Sequence, residues 1–311
     1  MENGETRTGF GTQTLRIARR TVAQWLDDDA IRWSAAIAYY AVVSLAPLVV
    51  LAVTVAGQFI GGPVAERWIL EQVGIMGGPQ ATEVAETVVN RMTALDLTSL
   101  GAIFTILLLA FGATAVFANL QRALNGVWAV EPRAGVLRNL VRSRVAAFTA
   151  VAALGGIMIL SVVAGAVLGR LTPILEVLDP FVPLVPVVDL LTSLLLLWLA
   201  VSTVFQALPD VEIRWRDVWI GALVTATLLV VGKHLLSWFL ARKAAASLYG
   251  AAGSIFLLLL WVYYSALVFF LGAEFTQVWA NERGREIRPA DYAVRVRTVI
   301  EEPDPAADGG P

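Results

Sequence analysis

Residues 251–279 read "AAGSIFLLLLWVYYSALVFFLGAEFTQVW", and this stretch decides the class of fold. A helix of about 20 mostly apolar residues is enough to cross the ~30 Å hydrocarbon core of a bilayer, and this stretch is longer than that. Only one of its side chains, Glu274, is charged. The stretch therefore predicts a transmembrane helix. It also raises the question of why a carboxyl group lies in the helix before it has finished crossing.

The composition of the whole chain also indicates a membrane protein. Of its 311 residues 58% are hydrophobic and 15% are charged, and the mean hydropathy is +0.71. A soluble domain has roughly 25% charged residues. The absence of cysteine excludes disulfides, thiolate metal sites and cysteine nucleophiles. The polar N-terminus lacks the short apolar run and small-residue cleavage site of a signal peptide, so the first apolar segment is expected to remain as a membrane anchor.

Six segments of the chain are long and apolar enough to span a bilayer. They are residues 35–60, 98–118, 145–169, 188–207, 218–240 and 251–279. None shows the period-2 alternation of a barrel strand, and only helices and closed barrels satisfy all backbone hydrogen bonds in lipid. The sequence predicts an all-α integral membrane protein with six transmembrane helices.

The distribution of basic residues predicts how these helices are threaded. The two tails and the connections after the second and fourth segments carry 17 arginines, whereas the connections on the opposite side carry five arginines and lysines in all. Because basic residues are enriched in cytoplasmic loops, both termini are expected in the cytoplasm. The chain then divides into a cytoplasmic N-tail (1–34), a membrane domain (35–279) and a cytoplasmic C-tail (280–311).

Two regions outside the spans have a pattern of their own. The outer loop, residues 61–97, is too long for a simple turn, and in its second half Val84, Val88, Met92 and Leu95 recur at helical spacing. This predicts an amphipathic helix. It either lies on the outer leaflet or packs on the bundle, and packing is favoured because its polar face lacks many basic residues. The acidic, Pro- and Gly-rich residues 301–311 are expected to be disordered.

Ionisable groups inside a span are costly, so each is a candidate functional site. Glu274 is expected ~7–8 Å from the cytoplasmic end of its helix, at 1.5 Å per residue. Asn119 and Gln206 lie near the same ends of the second and fourth segments. We predict that these three side chains share a water-accessible vestibule, where Glu274 binds a proton or a substrate headgroup. The alternative is a structural role, in which Glu274 only anchors neighbouring helices.

Further candidates lie in the first, fifth and sixth segments. Lys233 belongs to the outer half of the fifth. Its side chain either snorkels outward or faces the bundle interior and receives an anionic group. Pro47 is expected to kink the first helix, and Gly250 and Gly253 allow neighbouring helices to approach closely. Pro47 and the two glycines are candidate hinge or helix-packing positions.

The side-chain inventory argues against an enzyme. A single histidine and no cysteine cannot build the usual hydrolytic zinc site, and no G-x-x-x-x-G-K-[ST] phosphate loop is present. The sequence therefore predicts no catalytic residues, no metal site and no cofactor. Basic residues cluster only where membrane threading explains them, so no nucleic-acid partner is expected.

Four blocks of the chain resemble the YihY/BrkB family of bacterial inner-membrane proteins. They are "AAIAYYAVVSLAPLVVL" from residue 35, "LNGVW" from 124, "LPDVEIRWRDVWIGALVTATLLVVGK" from 208 and "YGAAGSIFLLLLWVYYSALVFFLGAEFT" from 249. The blocks occur in the family's order, and the resemblance covers roughly residues 20–283. Beside Lys233 and Glu274, positions that match the family pattern include Tyr39, Asn125, Trp128, Pro209 and Tyr249.

The resemblance implies a multi-pass protein of the bacterial inner membrane with a role in transport. Proposals for the family include export of lipids or lipopolysaccharide precursors and serum resistance. The family has also carried the name ribonuclease BN, but this chain lacks the ligands of a metal-dependent nuclease. We expect a secondary transporter or a lipid or envelope-precursor flippase. Membrane lipids would be its partners, and an anionic lipid or amphipathic molecule its substrate. The alternative is a non-catalytic scaffold for a cell-envelope complex.

Overall fold

The computed structural model describes residues 10–92, 117–133, 153, 156–157, 184–241, 253–285 and 287–296. This part of the chain consists of helices and four short strands. The helices are α1 (Phe10–Asp27), α2 (Ala30–Ile60), α3 (Gly62–Met92), α4 (residues 117–127), α5 (Leu184–Ala207), α6 (Trp215–Ala241) and α7 (Gly253–Glu282). The strands are β1 (Val130–Pro132), β2 (Val211–Glu212), β3 (Arg288–Pro289) and β4 (Ala293–Arg295).

Four helices coincide with predicted membrane segments. α2 contains the first segment, and α5, α6 and α7 match the last three to within a few residues. Among the described residues, three stretches are long and apolar enough to cross a membrane: Leu190–Ala207, Trp215–Leu235 and Phe256–Glu282. The predicted segments 98–118 and 145–169 lie almost entirely outside the described residues. The count of six spans and their threading therefore stay predictions.

The largest buried side chains lie where α4, α5 and α7 meet. The exposed fraction is at most 2% for each of Trp128, Phe205 and Phe270. The Trp128 and Phe205 rings meet edge to face with centroids 6.3 Å apart. The ring centroids of Phe205 and Phe269 are 4.8 Å apart. Aromatic pairs of this kind add roughly 0.5–1.5 kcal/mol to the hydrophobic gain from burial. This core joins the ends of α4 and α5 to the middle of α7.

α6 and α7 touch through two reciprocal glycine–threonine contacts. Gly221 and Thr225 are four residues apart on α6, as Gly272 and Thr276 are on α7, so each pair lies on one helix face. A Cβ added at Gly272 would lie 1.7 Å from Thr225 Oγ1, and one added at Gly221 would lie 1.8 Å from Thr276 Oγ1. The reciprocal order of the contacts makes the helices antiparallel, and the missing side chains bring their backbones close together.

The threonine hydroxyls at this contact are satisfied within their own helices. Thr225 Oγ1 donates to the Gly221 carbonyl and Thr276 Oγ1 donates to the Gly272 carbonyl, both at 2.8 Å. Ser and Thr hydroxyls commonly bond the carbonyl four residues back in a helix. Neither threonine hydroxyl needs a hydrogen-bond partner on the other helix. The two helices therefore pack at this contact through small residues alone.

The predicted outer loop forms one helical element that bends back on itself. α3 covers residues 62–92, so helix extends over the first half of the loop as well as the predicted second half. In a straight helix, residues eight apart are ~12 Å apart, yet a Cβ at Gly74 would lie 4.0 Å from Thr82 Cβ. The bend lies between these residues, where the sequence reads "IMGGPQA", and glycine and proline are common causes of sharp bends.

α3 packs on the bundle, as the sequence predicted. Ile69 from its first arm and Ala85 and Val89 from its second form one buried cluster with Val49 of α2, and α3 also contacts α7. Val49 lies 11 residues before the end of α2, which corresponds to ~16 Å along the helix. Both arms of α3 therefore lie beside the half of α2 that precedes its end at Ile60.

A disulfide should report the bend in α3 directly. Disulfides join Cβ atoms about 3.5–4.5 Å apart, so the pair Gly74→Cys and Thr82→Cys should crosslink readily under mild oxidation. The natural chain has no cysteine, so no other thiol competes. Intact-mass spectrometry would show the loss of two hydrogens. The matched pair Gly74→Cys and Glu86→Cys, with the second thiol one turn farther along, should crosslink several-fold less. Equal crosslinking of both pairs would contradict the bend.

The structure contains two small antiparallel ladders and an N-terminal helix that the all-α prediction did not include. β1 pairs with β4 and β2 pairs with β3, so residues after α7 join the connections that follow α4 and α5. α1 packs lengthwise on α7. The end of the bundle that carries α1, both ladders and the last turn of α7 is called the terminal end below. Strands of two or three residues show no periodicity, which is why the sequence did not predict them.

Candidate functional site

Glu274 is fully enclosed in the bundle. Its relative exposure is 0%, on a stretch of α7 that is apolar enough to cross a membrane. With the Gln277 amide oriented by its contacts, Nε2 donates to the Val127 carbonyl at 2.7 Å and to Glu274 Oε2 at 3.2 Å. In the part of the chain that the structure describes, no N–H or O–H group donates to Glu274 Oε1. The side chain does not face lipid, and one of its oxygens is available to a further group.

The carboxyl of Asp28 is the further group that reaches Glu274. Asp28 directly follows α1, and its side chain makes a hydrogen-bonding contact with the Glu274 carboxyl. Partial desolvation of the Asp28 carboxyl raises its pKa above the ordinary value, and the charges of Asp27 and Asp29 act in the same direction. Asp28 is nevertheless an exposed residue. The site thus joins an accessible carboxyl to one that is fully enclosed.

α1 is held along α7 on both sides of this contact. Trp25 Nε1 donates to the Leu267 carbonyl at 3.2 Å, two turns before Glu274. Two turns after Glu274, Glu282 accepts hydrogen bonds from Arg16, at 3.0 Å, and from Arg20. These contacts hold α1 against the part of α7 that carries Glu274.

Asp28 is the site residue that sequence reasoning missed. It lies in "DDDA", residues 27–30, directly before the first apolar segment. An acidic run at a membrane end that is otherwise rich in arginine was an available signal. Its partner Glu274 lies in the last segment of the membrane domain, and nothing in the sequence alone links the two.

Asn119 and Gln206, the predicted companions of Glu274, have their own surroundings. Asn119 is buried, and its Oδ1 accepts a hydrogen bond from Arg122 at 2.8 Å. Gln206 is half-buried, and its Oε1 is enclosed with no hydrogen-bond partner among the residues that the structure describes. Both lie in the helices that meet α7 at the aromatic core. A vestibule shared by all three side chains stays a prediction.

The other predicted site residues are spread over the fold. Lys233 is exposed on α6 beside His234 and Leu235, a position that suits a snorkelling lysine. Tyr39 is 61% exposed on α2 and packs edge to face on Tyr40. Pro47 lies within α2 and Gly253 begins α7. Tyr249 and Gly250 lie outside the described residues, so the predicted hinge at Gly250 is untested.

A buried hydrogen-bond network at the terminal end surrounds the family-pattern residues Asn125 and Pro209. Asp210 Oδ2 accepts from Asn125 Nδ2 at 2.8 Å, and the Asp210 N–H donates to Asn125 Oδ1 at 2.9 Å. Asp210 Oδ1 accepts from Tyr292 at 2.9 Å and from Gln121 at 3.4 Å. Asp210 thus ties α4, the end of α5 and the C-terminal segment together, and this explains these positions structurally.

An ion pair joins the start of α6 to the segment that follows α7. Asp217 in the first turn of α6 pairs with Arg285 at 2.9 Å, and the side chain of Asp217 is 2% exposed. Asp217 also lies where the partial positive charge of a helix N-terminus favours an anion. Among the described residues, no group of three or more His, Cys, Asp or Glu side chains could hold a metal ion.

Comparison with known proteins identifies a family and several relatives that are named membrane proteins. Residues 21–296 match the family described as Virulence factor BrkB, and the chain belongs to that family. A UPF0761 membrane protein of Legionella pneumophila is 23% identical over 278 residues, which cover 87% of this chain and 63% of the relative. One of Stenotrophomonas maltophilia is 26% identical over 270 residues, covering 84% and 60%. One of Mannheimia succiniciproducens is 34% identical over 90 residues, covering 29% and 31%.

The chain is a helical, multi-pass membrane protein of this family, because its relatives are named membrane proteins and its helices are long and apolar. It spans about a third to two thirds of the length of these curated relatives. No solved structure matches it.

Proposed function

We propose that this protein is a secondary transporter or lipid or envelope-precursor flippase of the bacterial inner membrane, with both termini in the cytoplasm. One observation carries the proposal: Glu274 is fully enclosed on an apolar helix, and one of its oxygens has no N–H or O–H donor from the described residues. Ionisable groups inside a membrane are costly and mark substrate or ion pathways. A helix that served only as an anchor would be more stable with an apolar residue at this position.

The distribution of polarity around the bundle supports a pathway through its interior. Leu191 and Leu195 on α5 and Leu223 on α6 are exposed apolar side chains, as expected of surfaces that face lipid. Gln206, Glu274 and Gln277 carry polar groups inward at the terminal end. An amphipathic substrate could present its headgroup to such groups while its tails stay in lipid. An anionic lipid or envelope precursor fits this division.

Reconstitution in liposomes tests the proposal. Liposomes that contain the protein should move a fluorescent anionic phospholipid between leaflets at least tenfold faster than protein-free liposomes, measured by dithionite quenching. Glu274→Gln should remove most of that acceleration. The matched control is Glu83→Gln, an exposed acid on α3, which should leave the rate unchanged.

The alternative of a membrane scaffold predicts a different result. A scaffold would not accelerate lipid movement and would tolerate Glu274→Gln in cells. If the wild-type protein moves neither the labelled phospholipid nor a lipid-linked envelope precursor faster than empty liposomes, with or without a pH gradient, the transport proposal is wrong.

A further inference from the structure

We propose that Asp28 and Glu274 form a proton-binding site in which the two carboxyl groups share one proton. The inference deepens the proposed function, because it names the ion that a transport cycle at this site would use. It rests on the proposed function only for the role of the proton in transport. The proton site itself rests on the geometry of the two side chains.

The contact between the two carboxyl groups requires a proton. Two carboxylates at hydrogen-bonding distance cannot both be charged, because like charges at that separation in a poorly solvated site repel strongly. Glu274 Oε2 has the Gln277 amide as a donor, whereas Oε1 has no donor among the described residues. An O–H group between the two carboxyl groups would satisfy both sides. The arrangement therefore fits one acid and one carboxylate.

The positions of the two residues give the proton a path. Asp28 is exposed at the terminal end, and Glu274 is 0% exposed in α7. A proton taken from water by the Asp28 carboxylate can pass to the Glu274 carboxylate, which leaves Asp28 as the carboxylate that accepts the resulting hydrogen bond. The reverse transfer returns it to water. Asp28 is thus the entry group and Glu274 the enclosed group.

The charged groups on the elements packed around the pair have other partners or lie on exposed surfaces. Beside Asp28, Asp27 is exposed and Asp29 pairs with Arg32 of α2 at 2.8 Å. The remaining described groups on α1, α4, α6 and α7 are Arg16 and Arg20 with Glu282, Arg122 with Asn119, Asp217 with Arg285, and the exposed Arg19, Arg216, Lys233 and His234. Those on α3 are the exposed or half-exposed Glu66, Arg67, Glu71, Glu83 and Glu86. No arginine or lysine is recorded in a salt bridge with either carboxyl among the described residues. A proton is left as the cation that neutralises the pair.

Infrared spectroscopy of the purified full chain in dodecyl maltoside, a detergent without carbonyl groups, tests the site without a transport assay. Exposed carboxyl groups are ionised at pH 8, so a carboxylic-acid C=O band at that pH reports an enclosed proton. The wild-type protein should show such a band. Glu274→Gln should abolish it, and Asp28→Asn and Asp28→Ser should move it to higher frequency because the O–H loses a charged acceptor. The matched control Asp27→Asn should leave the band unchanged.

A second measurement removes any dependence on the folding of variants. Protein grown with ¹³C-carboxyl glutamate should shift the band to lower frequency, whereas ¹³C-carboxyl aspartate should not. Absence of an acid band at pH 8, or a band that ignores both glutamate labelling and Asp28 substitution, would overturn the proton site. If the band behaves as expected but the protein moves no lipid, the proton site stands and only the transport proposal is refuted.

Discussion

Gly272→Ala is expected to lower the free energy of unfolding by about 1–3 kcal/mol, the usual cost of forcing extra atoms into a packed interior. The new Cβ would lie 1.7 Å from Thr225 Oγ1 and 2.9 Å from Thr225 Cβ. Thr225 is fully buried, and its hydroxyl is bonded to a backbone carbonyl, so the side chain cannot easily move away. The helices would have to separate. Thermal unfolding in detergent, followed by tryptophan fluorescence, measures the loss.

Two controls separate this steric effect from general effects of the substitution. Gly126→Ala on α4 adds the same methyl group where no atom of a described residue lies within 4 Å, and it should be neutral or slightly stabilising because alanine is the better helix former. The double variant Gly272→Ala with Thr225→Ala should regain most of the lost stability. Equal melting temperatures for Gly272→Ala and Gly126→Ala would refute close packing at this position.

Asp210→Ala is expected to cost at least about 3 kcal/mol. The substitution leaves the Asn125 amide, the Tyr292 hydroxyl and the Gln121 amide without their acceptor, and a buried group that loses its partner costs ~1–3 kcal/mol. Tyr292 and the neighbouring ladders should detach from the bundle. Limited proteolysis should then cut within residues 287–296 many-fold faster than in the wild-type protein. Peptide mass spectrometry identifies the cut.

The neighbouring acid Asp291 provides the matched control for this prediction. Asp291 is exposed in the same segment, so Asp291→Ala should change neither the melting temperature nor the cleavage rate appreciably. If both substitutions give the same protease sensitivity, Asp210 does not hold the C-terminal segment in place.

The parts of the fold that the sequence predicted are those governed by a single local property. α2, α5, α6 and α7 are long apolar runs, and hydrocarbon thickness alone requires such lengths. The second arm of α3 was predicted because its apolar residues recur at helical spacing. Its first arm and bend were not, because glycine and proline in "IMGGPQA" fit a loop as well as they fit a kink.

The parts that the sequence did not predict depend on contacts between distant segments. α1 lies in a polar, arginine-containing tail, and what fixes it is its packing on α7 through Trp25 and Glu282. The strands are too short to carry a pattern, and their partners lie far apart in the chain.

The candidate site divides in the same way. Glu274 was predicted because a carboxyl inside an apolar run is conspicuous in any single sequence. Asp28 was not, because an acidic residue in a polar tail is ordinary until the fold places it beside Glu274. Asn119 and Gln206 were proposed from depth alone. Depth along the membrane does not specify which way a side chain points around its helix.

The two ladders impose an order on the assembly of the protein. β3 and β4 are the last described elements of the chain, yet they pair with β2 and β1, which a ribosome would release much earlier. Translation runs from the N-terminus to the C-terminus, so β1 and β2 must wait with unpaired edges until α7 has been made and inserted. The terminal end can therefore close only after the last helix is in place. Closure is then a final step, and a nascent chain that stalls after α7 would leave both early strands open to other partners.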